Sequence, residues 1–208
     1  SVASPWQDTF ALWLDYMVSD TVVGGADSLS AVYPSLRLRG NIAFIGLNTG
    51  CPKPPLMATG TAGEAQLARL PALLDSARAR GQFRVVYLHH SPLPGREKWR
   101  KRLTDAAQVE AIISQHGAEL VLNGHGHRSH FEELASSDGT VPVIAIPSAS
   151  ALGLHHGRAA SYNCYGVERT AKGWELTVES RDYDPASGHF NAGETKHLAL
   201  SRAAGSIS

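Results

Sequence analysis

Val85-Val86-Tyr87-Leu88-His89-His90-Ser91-Pro92 is an apolar run that ends in two imidazoles and a proline, and Leu120-Val121-Leu122-Asn123-Gly124-His125-Gly126-His127 follows the same plan. Short, continuously apolar runs read as strands buried on both faces, and parallel strands of that kind hand functional residues to the loops at their carboxyl ends. Two imidazole-bearing loops placed there can converge on one point, as a metal site requires.

Between the two runs, Thr104 is placed to cap a helix over 105–116, striped by Val109, Ile112 and Ile113 and stopped by Gly117. Upstream, Thr61-x-x-Glu64 has the capping-box spacing for a helix reaching about Arg80, with Leu67, Leu70, Leu73, Leu74 and Ala77 as its buried stripe and Pro71 as an expected bend or shifted start. Residues 49–60 read as a Pro- and Gly-rich connector, and 36–47 as a pair of strands or one long one. Phe10, Trp13, Leu14 and Met17 predict an amphipathic helix over 6–17, followed by a loop at 20–27. Beyond the second imidazole loop the pattern turns to strands alone, at 131–134, 141–147, 162–167 and 174–181. Strand-helix alternation followed by a run of strands argues for an α+β fold of layered sheets with helices outside.

Composition narrows the partners. Nineteen basic side chains balance nineteen acidic ones in 208 residues, so no global field recruits nucleic acid or a membrane. Cys51 and Cys164 are too few for a disulfide framework, which fits a reducing, cytoplasmic setting. Neither a signal-peptide pattern nor a membrane-spanning apolar run is legible. The chain opens at Ser1 without an initiator methionine, so a trimmed piece of a single, larger domain is one expectation.

Neutral imidazole binds borderline divalent metals, and the glycines around His125 and His127 let a tight loop aim both rings at one centre. His89 and His90 point to opposite faces in extended chain, so one of them is expected to be buried and hydrogen-bonded. In order and local context, Leu88-His89-His90-Ser91-Pro92 and Asn123-Gly124-His125-Gly126-His127 resemble the calcineurin-like metallophosphoesterases. Gly63-Glu64-x-Gln66-Leu67 and Pro147-Ser148-Ala149-Ser150 look like bacterial members related to cyclic-nucleotide phosphodiesterases.

That resemblance implies a layered α/β/β/α sandwich, here without its amino-terminal strands and helices. It implies two divalent cations (Mn, Fe or Zn) clamping a small phosphoester, a cyclic nucleotide among the candidates, and activating a bridging water or hydroxide. By motif position His89 and His125 would ligate one metal and His127 the other, with His90 supporting or facing substrate; the alignment also allows the reverse choice between His89 and His90. His130 reads as a residue that orients a ligand ring or simply sits at the surface, and His155 and His156 as loop residues that could approach a substrate phosphate.

The family's Asp-x-His, Gly-Asp and Gly-Asn-His blocks do not occur, and Gly40-Asn41 continues into Ile42, read here as part of a strand. The remaining ligands, the bridging carboxylate and the catalytic His are therefore missing from this chain. The expectation is the carboxyl-terminal portion of a hydrolase, poorly active by itself and completed by an amino-terminal segment. A non-catalytic interaction module of the same fold is the alternative. A cupin-like barrel, in which His125 and His127 would join Glu132 and Gly139, is a third. Arg96 to Arg102, with Trp99, reads as a solvated basic loop that could also steer an anion or stack a base. Asp182 and Asp184 offer a weak calcium reading, and His116, His189 and His197 have no evident partner.

Overall fold

A computed structural model describes residues 19–20, 32–51, 53–151 and 159–201. The helix expected over 6–17, most of the loop after it, and His155 and His156 lie outside the described residues.

Strands β1 (Ser35–Arg39) and β2 (Ile42–Gly46) form a hairpin, followed by helix α1 (Glu64–Ala79), β3 (Phe83–Tyr87), helix α2 (Ala106–His116), β4 (Leu120–Asn123), β5 (His130–Ser136) and β6 (Gly139–Ala145). These strands make one six-stranded sheet in the order β1-β2-β3-β4-β6-β5. Strands β2, β3, β4 and β6 run parallel, while β1 and β5 are antiparallel edges. Strands β7 (Ser161–Thr170), β8 (Gly173–Asp184) and β9 (His189–Ser201) form a separate three-stranded antiparallel sheet.

The α/β/β/α sandwich expected from the resemblance is not found. Among the described residues strand accounts for 43% and helix for 17%, with a mixed sheet, a small antiparallel sheet and two helices. Both helices pack on one face of the large sheet, where Leu70, Leu74, Val109 and Ile113 meet Ala43, Ile45, Val86 and Val121. The opposite face is covered by the second sheet, with Phe83, Val85, Leu120 and Ile144 against Trp174, Leu176 and Val178. Alternate residues of β3 thus serve two cores, which is why its sequence is apolar without alternation. Phe83 meets the edge of Trp174 at a ring separation of 5.5 Å. Burying side chains of this size stabilises the fold by about 1.5–3 kcal/mol each.

Several local expectations are corrected. Gly40 and Asn41 are not strand residues but the two-residue turn of the first hairpin, closed by the Arg39 and Ile42 pair. Gly40 takes φ 55, as the first position of such a turn demands. The helix caps differ as well. Thr61 and Thr104 bond to each other through their hydroxyls at 2.7 Å instead of capping helices, and neither helix has a side-chain cap. The Asp105 carboxylate accepts the Ala62 and Gly63 N–H groups at 3.0 and 2.8 Å, so it is α2 that secures the entry to α1. Helix α1 continues through Pro71 from Glu64. Strand β9 has no counterpart among the sequence expectations, because Gly193, Glu194 and Lys196 interrupt its apolar alternation. The barrel alternative does not match an open sheet with two edges, and Glu132 pairs with Arg96 at 2.6 Å.

Candidate metal and phosphate site

Parallel pairing brings the carboxyl ends of β2, β3, β4 and β6 to one rim of the sheet, and antiparallel β5 begins at that rim with His130 opposite Ala145. Beyond the strands the ladder is extended by Leu47 N–H to Tyr87 O at 2.9 Å and Leu88 N–H to Leu122 O at 3.1 Å. Gly124 N–H then donates to His89 O at 3.0 Å, which ties the two imidazole loops together. Gly126 N–H donates to Gly124 O at 2.7 Å, closing a tight turn centred on His125. His125 sits at φ 65 and His127 at φ 49. Left-handed backbone at a residue with a Cβ costs about 1–3 kcal/mol and persists only where its surroundings impose it.

Three of the expected rings meet. His89 Nε2 and His125 Nδ1 are 2.9 Å apart. The His90 ring centroid is 4.4 Å from that of His125 and 5.0 Å from that of His89. His90 is buried, and both its nitrogens are occupied by protein. Its Nε2–H donates to the Ala58 carbonyl at 3.1 Å, so its Nδ1 accepts from the Thr49 hydroxyl at 2.8 Å. His90 thus has both ring nitrogens taken by protein, and His89 and His125 are the pair with nitrogens turned to each other. Thr49 went unrecognised in the sequence because a lone threonine in a connector carries no motif. Gly60 allows the arrangement, since a Cβ there would lie 2.2 Å from His90 Nδ1.

All three rings are held in the neutral form. Burial lowers the pKa of His125 to about 4, helped by the charges of His90, His89, Lys101 and His127. Burial also lowers His89, with His127 adding to it, and lowers His90 against the opposing bond to Ala58. His125 Nε2 is buried without a hydrogen-bond partner. His127 and His130 are exposed at the rim, His127 close enough for its charge to reach His89 and His125.

Two nitrogens each about 2.0–2.1 Å from one ion, at angles between octahedral and tetrahedral, stand about 2.9–3.4 Å apart. The separation of His89 Nε2 and His125 Nδ1 falls at the short end of that range. The fit stops at two: among the described residues no group of three or more His, Cys, Asp or Glu side chains is placed to hold an ion. A cleft of about 240 Å³ at the same rim is lined by Ser91, Arg96, Glu97, Asn123, Gly124, Arg128, His130 and Glu132 among others, and by none of His89, His90 and His125.

At the opposite end of β3, Arg84 is completely buried. It donates to Glu119 through Nε and Nη2, each at 2.9 Å, to Asp138 at 2.8 Å and to the His116 carbonyl at 2.8 Å. Burial would lower its pKa, but the bonds to Glu119 and Asp138 outweigh it and keep the guanidinium protonated. Arg78 meets the other oxygen of Asp138 at 2.6 Å. This network lies away from the rim and ties α1, α2, β3 and the β5–β6 turn together. His116, for which no partner was evident, faces Asp75 at 2.9 Å. Asp182 lies in β8 opposite Asn191 of β9, and the Asp184 carboxylate accepts the Ala186 N–H at the turn that follows.

A comparison with protein-family models finds no match to this chain, and a comparison with curated proteins finds none either. Among the described residues no helix is long and apolar enough to cross a membrane.

Proposed function

We propose that this chain carries part of a metal-dependent phosphoric ester hydrolase, with His89 and His125 as metal ligands and His90 as their support. The observation that carries the reading is the contact of two neutral imidazoles, His89 Nε2 to His125 Nδ1 at 2.9 Å, at the carboxyl rim of a parallel sheet. A backbone held left-handed at His125 adds support. Strained backbone of this kind clusters at ligand sites.

Divalent cations bound here would polarise a phosphoryl oxygen and neutralise its charge. The chain's own residues prepare for that. His90 buttresses His125, burial keeps all three rings unprotonated near neutrality, and Lys101 adds positive potential that attracts an anionic substrate. Manganese, iron and zinc all suit an imidazole site completed by carboxylates, and the substrate class is a small phosphoester, a cyclic nucleotide being one candidate. His127 would join when its exposed ring turns inward. A non-catalytic module of this fold is the competing reading, favoured by the lack of a third ligand among the described residues.

Calorimetric titration of the 208-residue chain with Zn²⁺ and Mn²⁺ tests the proposal. Binding is expected, and His89→Ala and His125→Ala should each abolish it while far-UV circular dichroism is unchanged. Affinity that survives both substitutions, or no binding by the parent chain, would overturn the assignment.

A further inference from the structure

Two turns stand beside the imidazole cluster. Met57 N–H donates to Pro54 O at 3.1 Å and Lys101 N–H to Lys98 O at 2.7 Å, so 54–57 and 98–101 each reverse the chain. Ala58 N–H to Arg100 O at 2.8 Å and Gly60 N–H to Arg102 O at 3.1 Å hold the turns side by side. Their tips carry Leu56, 87% exposed, and Trp99, 61% exposed, the two most exposed large apolar side chains among the described residues. Leu56 is also left-handed at φ 68. That φ is what the third position of a turn with proline second takes, and it holds the leucine side chain out in water, where burial against an apolar partner would be favourable.

The surroundings are cationic although the whole chain is neutral. Lys53, Lys98, Arg100, Lys101 and Arg102 are exposed around the tips, against the single carboxylate of Glu97. The Arg100 guanidinium lies 4.9 Å over the Trp99 ring. Arg96 is already paired with Glu132.

We propose that these paired turns dock on an anionic lipid bilayer, Leu56 and Trp99 entering the headgroup and acyl boundary while the cations meet lipid phosphates. Tryptophan favours that boundary, and an aliphatic tip beside it adds buried area that a purely electrostatic contact lacks. Basic side chains near an anionic leaflet act additively within a Debye length. A nucleic acid would use the cations and stack on Trp99, yet it gives Leu56 no apolar environment. The Ala58 carbonyl accepts from His90 Nε2–H at 3.1 Å, so the turns are pinned to the imidazole cluster and docking would hold that cluster at headgroup level. The docking itself does not depend on the hydrolase reading.

Co-sedimentation of the 208-residue chain with vesicles tests it. The chain should pellet with phosphatidylcholine vesicles carrying roughly a third phosphatidylglycerol and stay in solution with phosphatidylcholine alone, and added salt should release it. Leu56→Ser and Trp99→Ala should each weaken partitioning by about tenfold, with an unchanged thermal transition as the control for folding. Equal binding to both vesicles, no binding to either, or tips whose substitution changes nothing would overturn the proposal. So would single-stranded DNA that binds more tightly than the anionic vesicles and whose binding needs Trp99 but not Leu56.

Discussion

His125 shows how much one residue's surroundings decide. A histidine in water titrates near neutrality, yet this ring is half-buried beside two other imidazoles, with Lys101 adding its charge, and its pKa falls to about 4. The sign follows from proton binding: between that value and the ordinary one near 6.5, the unfolded chain holds the proton and the folded chain does not. Stability contributed by this group is therefore full above about pH 6.5 and declines as pH drops toward 4. In metal-free protein, the His125 Cε1–H resonance should titrate near pH 4, and His125→Asn should lose less stability than the parent chain on acidification from neutrality. A midpoint near the free value would mean that the ring is exposed to water. Gly60 makes a second case. A methyl group there would strike His90 Nδ1 at 2.2 Å, so Gly60→Ala should displace that ring and break its bonds to Thr49 and Ala58. A cost of about 1–3 kcal/mol in urea unfolding is expected, since buried polar atoms lose their partners. An unchanged midpoint would show that His90 has room to move.

At the level of elements, the apolar runs before the imidazole loops were legible because a strand buried on both faces needs continuous hydrophobicity. The two helices were legible from their stripes. The cap residues were not, since Thr61 and Thr104 bond to each other across 43 residues of sequence, and Asp105 reaches from the start of one helix to the start of the other. Strand β9 escaped because its edge position asks little of its composition. The Arg84 network escaped for a related reason: an arginine inside an apolar run reads as an exception until Glu119 and Asp138 arrive from distant elements. Arg84→Ala should destabilise the protein by about 3–5 kcal/mol, because two buried carboxylates lose their shared cation. Chemical denaturation measures this. Replacing Arg84, Glu119 and Asp138 together by apolar residues of similar volume should restore much of the loss, and failure to do so would locate the network's value outside charge compensation.

For the whole molecule, sheet topology does the assembling. Four parallel strands put every carboxyl end on one rim, so a connector, two imidazole loops and the start of β5 meet there although they lie far apart in sequence. The same topology exposes the shortfall, since among the described residues no group of three or more His, Cys, Asp or Glu side chains is placed to hold an ion. The 208-residue chain should accordingly hydrolyse bis(p-nitrophenyl) phosphate slowly or not at all, even with manganese or zinc supplied. Brisk metal-dependent turnover, lost in His125→Ala, would show that the groups present suffice.

Sequence alone determined the apolar strands, the helices between them and the imidazoles at their ends, because these follow from periodicity and from residue chemistry within a short window. Only tertiary structure decided that both nitrogens of His90 are taken by protein while His89 and His125 turn nitrogens to each other, that helices cover one face of the large sheet, and that Leu56 and Trp99 share a patch. Each of those depends on which distant backbone lies alongside, and contacts made across such separations leave no periodic trace in the chain.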